Sequence, residues 1–248
     1  MIIDDIAPVR ALITAASWLV TSLGTTLAPI AGSASAALAI VLVTLAVRAA
    51  LVPVGLSQAR ATLARQRLAP QITQLQRRYR SQPEVLQRKL TELYAAEGTS
   101  PLAGCLPVLL QAPVLTAVYG LFVVPTVAGH ANALLGHALL GVPLGTRFVG
   151  LLATGAAGWP AAAVFIVLIV LVAAVAQASR RLLPPTGAPT AGPATVKRLL
   201  SLLPFTTAVG VAFVPLAAGL YLATTTAWSL GERLVLRRVL EPPATSNV

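Results

Sequence analysis

The sequence predicts an all-α polytopic membrane protein with five transmembrane helices, a cytoplasmic helical hairpin and an outer interfacial amphipathic helix. Its composition is the first reason: 56% of the 248 residues are hydrophobic and only 10% are charged, whereas soluble domains carry about 25% charged residues. The mean hydropathy is +0.82. An ordinary soluble domain is excluded, so the net charge of +11 is interpreted through membrane topology and no DNA partner is predicted.

The apolar stretches are the second observation. A helix needs about 20 mainly apolar residues to cross a bilayer, and the last stretch is long enough for two short spans. The predicted spans are 36–58, 104–126, 160–178 and two within 199–231. The remaining segments are an outer tail with the interfacial helix (1–35), a cytoplasmic hairpin (59–103), an outer loop (127–159), a cytoplasmic loop (179–198) and a cytoplasmic tail (232–248). We expect Pro215 and Gly219 to bracket the turn between the last two spans.

The basic residues are the third observation, because cytoplasmic loops are enriched in Lys and Arg. Fifteen of the 18 basic residues fall in the hairpin, the 179–198 loop and the tail, which five spans place on one side. Arg10 and Arg147 fall on the other side, and Arg48 lies within a span. The protein is therefore predicted to lie in the plasma membrane with its amino terminus outside and its carboxyl terminus in the cytoplasm.

Residues 11–30 allow two interpretations. Thr14, Ser17, Thr21 and Thr25 recur at three- and four-residue spacing and share one helical face. We interpret the segment as an interfacial helix on the outer leaflet with Trp18 as its anchor. The alternative is a sixth span, which the distribution of basic residues disfavours.

The segment 57–98 is the one long stretch with the character of a soluble helix pair. Apolar residues recur at helical spacing in both halves, and SQPE (Ser81–Glu84) between them is a capping-box pattern that ends one helix and begins the next. Pro70 predicts a kink or break in the first helix. The basic charge suits anionic lipid headgroups or ribosomal RNA, and a solvated loop that only sets topology is an equal alternative.

Arg48 is the main candidate for function. It lies 12 residues after Ala36, which is about 18 Å along a helix and close to the bilayer midplane. A central arginine costs from about 3 to more than 10 kcal/mol unless it faces a bundle interior or a water-filled cavity. No other ionisable residue lies inside a predicted span, so a hydrated cavity is favoured over a buried ion pair.

Other polar residues are predicted at the same depth. Thr44 precedes Arg48 by one turn, and Gln111 lies between Pro107 and Pro113, where the helix backbone is opened. The last span carries polar residues at 224–226 and at 229. The predicted groove consists of Arg48, Thr44, Gln111, Thr116, Gln177, Thr226 and Ser229.

Catalytic and metal-binding patterns are missing from the sequence. His130 and His137 have no nearby carboxylate or cysteine, and Cys105 has no basic neighbour that would lower its pKa. No nucleotide-binding, zinc-protease or serine-hydrolase motif occurs. We therefore predict no enzyme activity, no cofactor and no metal site.

Several motifs together resemble one family. They are Arg48 followed by Pro53, LAPQI and LQRRY in the hairpin, LTELY, SPLAGCLPVLLQAP and, near the end, GLYLATTTAWSLG. The chain after residue 30 resembles the YidC-type membrane protein insertases, relatives of the mitochondrial oxidase-assembly and chloroplast Albino-type translocases. The stretch LLGVPLGTRF, residues 139–148, resembles the loop of actinobacterial members. The last span departs from the family pattern at Leu222, Thr226 and Glu232, where members usually carry an aromatic residue, Asn and Gln.

The resemblance implies a membrane protein insertase with a hydrophilic groove that is open to cytoplasm and lipid. Arg48 would attract the acidic, hydrophilic tail of a nascent membrane protein, while the apolar segment slides into lipid along the third and fifth spans. The implied partners are nascent membrane proteins, the ribosome, membrane lipids and the Sec translocon. The insertase would act either alone or together with that translocon. The alternative is a small transporter or channel in which Arg48 binds an anionic solute, but the charged hairpin and the lack of an inverted repeat favour the insertase.

Overall fold

The computed structural model describes residues 7–97, 120–123, 126–127, 130–155, 158–183 and 205–240. Most of these residues are helical, which confirms the helical character of the predicted fold. The predicted second span (104–126) lies almost entirely outside the described residues. The same holds for most of the 179–198 loop and for the first part of 199–231.

The first two helices form a pair. Helix α1 (Ala7–Ala31) and helix α2 (Ser35–Ala50) are joined by the short 3-10 turn Gly32–Ala34. A Cβ atom built on Gly24 would lie 3.8 Å from the Cα atom of Ala36, whereas 12 residues of one continuous helix span about 18 Å. The chain therefore folds back at the turn, and α1 packs along α2.

Helix α1 is amphipathic in the way the sequence predicts. Ile13 and Val20 are buried, whereas Thr14, Trp18 and Thr25 are exposed. Hydroxyl groups on the polar face donate to backbone carbonyls of their own helix, as Thr25 does to the Ser22 oxygen at 2.8 Å, and so do not need other partners. The exposed indole suits the predicted interfacial anchor, and the interfacial position of α1 stays a prediction.

Two helical runs in the described part of the chain are long and apolar enough to cross a membrane, Ile13–Ala50 and Trp159–Leu182. The first of these runs contains the turn between α1 and α2, so it is a packed helix pair and not one straight rod. The count of five spans and the outward amino terminus stay predictions.

A break at Leu51 separates α2 from helix α3 (Val52–Arg78). Leu51 has φ −87° and ψ 0°, and Pro53 follows in the first turn of α3, where the missing N–H of proline is tolerated. The N–H of Leu51 still donates to Val47 and that of Gly55 to Leu51, at 3.0 Å each. Helical periodicity therefore continues across the break, and the predicted span end at residue 58 falls inside α3.

The predicted hairpin is present as two contacting helices, α3 and α4 (Pro83–Ala96), and its cytoplasmic location stays a prediction. Helix α3 continues through Pro70, so the chain does not break there, and a kink at Pro70 stays a prediction. The SQPE stretch does mark the turn. The predicted capping by Ser81 is wrong, because Gln82 is the N-cap and no side chain caps the helix.

The outer loop contains two small antiparallel hairpins that the all-α prediction did not include. Strand β1 (Thr126–Val127) pairs with β2 (His130–Ala131), and β3 (Ala138–Leu139) pairs with β4 (Val142–Pro143). The turn of the second hairpin has positive φ at both central residues, 51° and 82°, the geometry that matches the twist of two-residue hairpins. A short helix, α5 (Phe148–Ala153), follows.

Helices α6 (Trp159–Leu182) and α7 (Leu216–Leu240) are the two long helices of the second half. They pack against each other, and α6 contains the predicted third span. The outward side of α6 exposes Ile166, Val167 and Val170, as expected of a helix in hydrocarbon.

The turn before the last helix differs from the prediction. Residues 205–211 are helical, the turn occupies 212–215, and Gly219 lies inside α7. Pro215 directly precedes the helix because its fixed φ suits a helix start. Helix α7 also extends to Leu240, beyond the predicted end of the span at 231.

The buried core forms where the outer loop meets α1, α2, α6 and α7. Its largest fully buried side chains include Val20, Ile40, Leu144, Phe165 and Leu216. The outer loop is part of this core: the N–H of Ala217 donates to the Leu144 carbonyl at 3.0 Å. The loop therefore fixes the start of α7 against the start of α2.

The α6–α7 contact depends on a glycine. A Cβ atom on Gly219 would lie 2.8 Å from Cδ2 of Leu168 and 3.3 Å from Cγ1 of Val211. We predict that Gly219→Leu lowers the stability by about 1–3 kcal/mol, because the added atoms overfill a packed contact. The measurement is thermal unfolding of the purified protein in detergent.

Gly231→Leu is the matched control, because Gly231 lies in the same helix and a Cβ atom built on it would meet no other atoms within 4 Å among the described residues. This control should be neutral or slightly stabilising, since leucine favours helix more than glycine by up to about 1 kcal/mol. Equal effects of the two substitutions would contradict the packing role of Gly219.

Candidate functional site

The predicted site residues on α2 lie on its buried face. Ile40, Thr44 and Arg48 follow at four-residue spacing and therefore share one side of the helix. Ile40 is fully buried, Thr44 is 6% exposed and Arg48 is half-buried. The Thr44 hydroxyl donates to the Ile40 carbonyl at 2.6 Å. The Arg48 side chain thus continues a face that packs inside the bundle.

The guanidinium of Arg48 has no counter-ion among the described residues. Both described ion pairs lie on α4, where Arg88 and Lys89 share Glu92. A charge at this place in a membrane helix is costly unless water or a polar partner solvates it. The half-buried position therefore favours a hydrated environment at this end of α2.

Helices α2 and α3 together form one helical run over residues 35–78, here called the α2–α3 rod. Helix α7 runs beside this rod in the same direction. At one end, the turn that precedes α2 contacts β3, and the start of α7 is bonded to the loop after β4. At the other end, a Cβ atom built on Gly55 would overlap the carboxylate of Glu232, with the Cδ atom 2.9 Å away. The α2–α3 rod and α7 therefore begin at the same end of the molecule and are in contact again at Gly55 and Glu232.

The contact between Gly55 and Glu232 sets the register between the helices. Arg48 precedes Gly55 by seven residues, and Thr225 precedes Glu232 by seven. Seven residues are two turns, about 10 Å along either helix, and return to the same face. Thr225 therefore lies at the level of Arg48, on the face of α7 that is directed towards the α2–α3 rod.

Thr225 is a site residue that sequence reasoning missed. Its hydroxyl oxygen is buried and has no hydrogen-bond partner within the described part of the chain. Its neighbours differ: Thr224 donates to the Leu220 carbonyl and Thr226 to the Leu222 carbonyl, both at 2.8 Å. The triplet 224–226 signalled polarity in the span, but the sequence did not show which member faces α2 and α3.

The two predicted residues of α7 lie on different sides of Thr225. Thr226 follows Gly219 by seven residues, so it shares the side that contacts Leu168 of α6. Ser229 follows Thr225 by one turn and shares its side. The structure thus brings Ser229 close to the Arg48 level and places Thr226 towards α6.

The other predicted site residues are not brought together with Arg48. Gln177 is half-buried on α6, but it follows Ala176 and so points about 100° away from the buried stripe of Phe165, Leu168, Val172 and Ala176. Gln111 and Thr116 lie outside the described residues.

Towards its carboxyl end, after Thr225, α7 carries a pair of polar side chains that contact each other. The indole Nε1–H of Trp228 donates to Oε2 of Glu232 at 3.1 Å, and both side chains are half-buried. Glu232 thereby fills the space that the missing side chain of Gly55 leaves open. A carboxylate therefore lies between the level of Arg48 and the hairpin.

The hairpin and the ends of the long helices are basic. Arg88 and Lys89 both pair with Glu92. The hydrogen bond from Lys89 lowers the pKa of the Glu92 carboxyl group. Helices α6 and α7 each carry two arginines in their last turn. Arg237 donates to the Leu182 carbonyl at 3.0 Å, which satisfies a free carbonyl at a helix end. This end of the molecule therefore suits phosphate-bearing partners.

Metal-ligating side chains are not grouped in the described residues: no three His, Cys, Asp or Glu side chains come together there. The polar groups that face each other between the α2–α3 rod and α7 are instead a guanidinium, a carboxylate, hydroxyl groups and an indole.

These features define a helical membrane protein whose polar site is an arginine on the buried face of an apolar helix. The family model described as 60Kd inner membrane protein matches residues 27–243. The chain therefore belongs to this family, the YidC-type membrane protein insertases, which confirms the resemblance found in the sequence.

Three relatives illustrate the similarity. The membrane protein insertase YidC of Streptomyces avermitilis is 27% identical over 256 residues, covering 95% of this chain and 60% of the relative. ALBINO3, a chloroplastic inner membrane protein of Arabidopsis thaliana, is 30% identical over 217 residues, or 81% and 46%. The YidC of Clostridium perfringens is 40% identical over 83 residues, or 34% and 35%. The chain thus spans less than two thirds of these relatives' lengths.

The contact between Gly55 and Glu232 can be tested by a double-mutant cycle. We predict that Gly55→Ala destabilises the protein by about 1–3 kcal/mol, because the new Cβ displaces the carboxylate. In a Glu232→Ala background the same substitution should be nearly neutral, which gives a coupling of at least about 0.5 kcal/mol. Thermal unfolding in detergent measures all four proteins, and strictly additive effects would show that the two residues are not in contact.

Proposed function

We propose that this chain is a membrane protein insertase. It moves the hydrophilic tails of nascent membrane proteins through a hydrated groove between the α2–α3 rod and α7, and it releases their apolar segments to lipid, alone or together with the Sec translocon. No covalent bond is made or broken in this process. The observation that carries the proposal is Arg48, half-buried and without a described counter-ion on the buried face of α2.

The role of Arg48 follows from electrostatics. A polar or acidic tail loses its hydration when it enters an apolar phase, which costs several kcal/mol for each unpaired polar group. A fixed positive charge in a wet groove offsets part of this cost for an acidic tail. The hydroxyl of Thr225 at the same level is buried and has no partner among the described residues, so it adds a polar group to this side of α7.

The apolar segment of the substrate leaves through the side of the groove. Helix α6 presents Val167 and Val170 outward, 67% and 60% exposed, and packs on α7. These helices correspond to the predicted third and fifth spans. An apolar substrate helix contacts such a surface without any desolvation cost, so the third and fifth spans form its path into lipid.

The partners follow from the charges. Exposed basic residues on the hairpin and at the ends of α6 and α7 attract anionic headgroups of membrane lipids and the RNA of a ribosome. The excess of basic residues on this side supports an amino terminus outside and a carboxyl terminus in the cytoplasm. The protein then receives its substrates from the cytoplasmic side.

The first test removes the groove charge. We predict that Arg48→Ala slows insertion of single-span substrates with acidic tails by on the order of tenfold, equivalent to about 1.4 kcal/mol of lost attraction. The measurement is protease protection of the tail after insertion into proteoliposomes. Arg147→Ala, which removes an exposed charge from the outer loop, is the control and should insert like wild type. Normal insertion by the Arg48 variant would refute the role.

The second test asks whether the groove is wet. In a Cys105→Ser background, we predict that Ser229→Cys reacts with a membrane-impermeant maleimide added from the cytoplasmic side, because maleimides need the thiolate and thiols ionise in water. The matched control is Val167→Cys, which is exposed on the outward side of α6 and should stay unlabelled in lipid.

Equal protection of both cysteines would indicate a dry bundle and contradict the groove. Labelling of Ser229→Cys from both sides of the membrane would instead favour the alternative function, a transporter or channel for an anionic solute.

A further inference from the structure

The strongest feature that the proposed function leaves unused is Glu232. Its side chain occupies the space over Gly55, with Cδ 2.9 Å from the position that a Cβ atom would take. The indole of Trp228 donates to its other oxygen at 3.1 Å. A glycine on one helix and an indole on the other thus hold this carboxylate in one place.

The position of this carboxylate relative to Arg48 follows from the register. Gly55 lies seven residues after Arg48 on the same face of the α2–α3 rod, which is about 10 Å along the helix. Residues after Gly55 continue into the hairpin. Glu232 therefore lies between the hairpin side and the level of Arg48, where a tail from the cytoplasm passes it first.

Glu232 does not neutralise Arg48. No described ion pair joins the two side chains, and two helical turns separate their levels. The groove wall consequently carries a negative charge at its entrance and a positive charge further in. Arg233, the next residue on α7, is exposed and is directed about 100° away around the helix.

We propose that Glu232, held over Gly55 by Trp228, is a specificity-determining residue that selects against strongly acidic tails at the groove entrance. This inference depends on the proposed insertase function. A tail with one acidic residue is repelled once by Glu232 as it passes and is then attracted by Arg48. A tail with several acidic residues meets the repulsion repeatedly, while only one of its carboxylates reaches the guanidinium.

The experiment compares Glu232→Gln with wild type in proteoliposomes. Glutamine keeps an oxygen acceptor for the indole of Trp228 and removes only the charge. The substrates are single-span peptides that differ in having zero, one, two or four acidic residues in the tail, and the measured quantity is the insertion rate relative to the neutral tail. The matched control is Glu84→Gln, which removes the same charge from an exposed position on α4.

For Glu232→Gln we expect the relative rate of multiply acidic tails to rise roughly fourfold, the factor for unit charges about 10 Å apart at an effective dielectric constant of about 40. The neutral tail and the Glu84→Gln protein should be unchanged, and added salt should reduce the difference. Glu232→Met, which is also uncharged, should change the relative rates in the same direction.

Three outcomes overturn the inference. If wild type inserts all tails and neither neutral variant changes the relative rates, Glu232 is only a packing residue and the insertase function stands. If wild type inserts no tail at all, the proposed function and this inference fail together. A rise that is equal for neutral and acidic tails would show a looser groove, which also contradicts selection by charge.

Discussion

The constraint on which this structure depends is the solvation of one guanidinium in an apolar helix. A positive charge in an apolar helix is costly, so the protein has to surround Arg48 with water, polar groups or a counter-charge. The structure gives it a place on the buried face of α2, level with the hydroxyl of Thr225. The parallel packing of α7 on the α2–α3 rod puts these two residues at the same level along the helices.

That packing is fixed at its two ends by different means. At the end opposite the hairpin, the loop after β4 bonds to the start of α7 while β3 contacts the turn before α2. On the hairpin side, Gly55 accommodates the carboxylate of Glu232. Between these contacts Thr44, Arg48 and Thr225 place polar groups on the facing sides of the helices. A polar seam can therefore exist in a bundle whose outer half has a dense apolar core.

The sequence predicted the features that follow from single residues and failed where helices must be oriented against each other. The turn at SQPE and the exposed hydroxyl-bearing face of α1 follow from hydropathy and spacing. The choice among Thr224, Thr225 and Thr226 depends on the rotation of α7, which is determined by Gly55 and Gly219 against their partners. Such contacts join residues far apart in the chain and leave no periodic signal.

The effect of each proline on its helix also could not be predicted from the sequence alone. Pro70 lies within a continuous helix and Pro53 follows a break, although each removes one backbone hydrogen bond. Near Pro215, the turn precedes the proline because the ring suits the start of a helix better than its end.

The carboxylate of Glu232 on α7 and the guanidinium of Arg48 on α2 lie at levels about two helical turns apart. A direct ion pair would satisfy both groups and would leave no positive charge for a substrate. At about 10 Å, which is close to the Debye length at physiological salt, each group still needs water. The separation thus maintains a hydrated stretch between the level of Arg48 and the basic hairpin. Under the proposed function, the charge pattern that would select tails would also keep the path open to water.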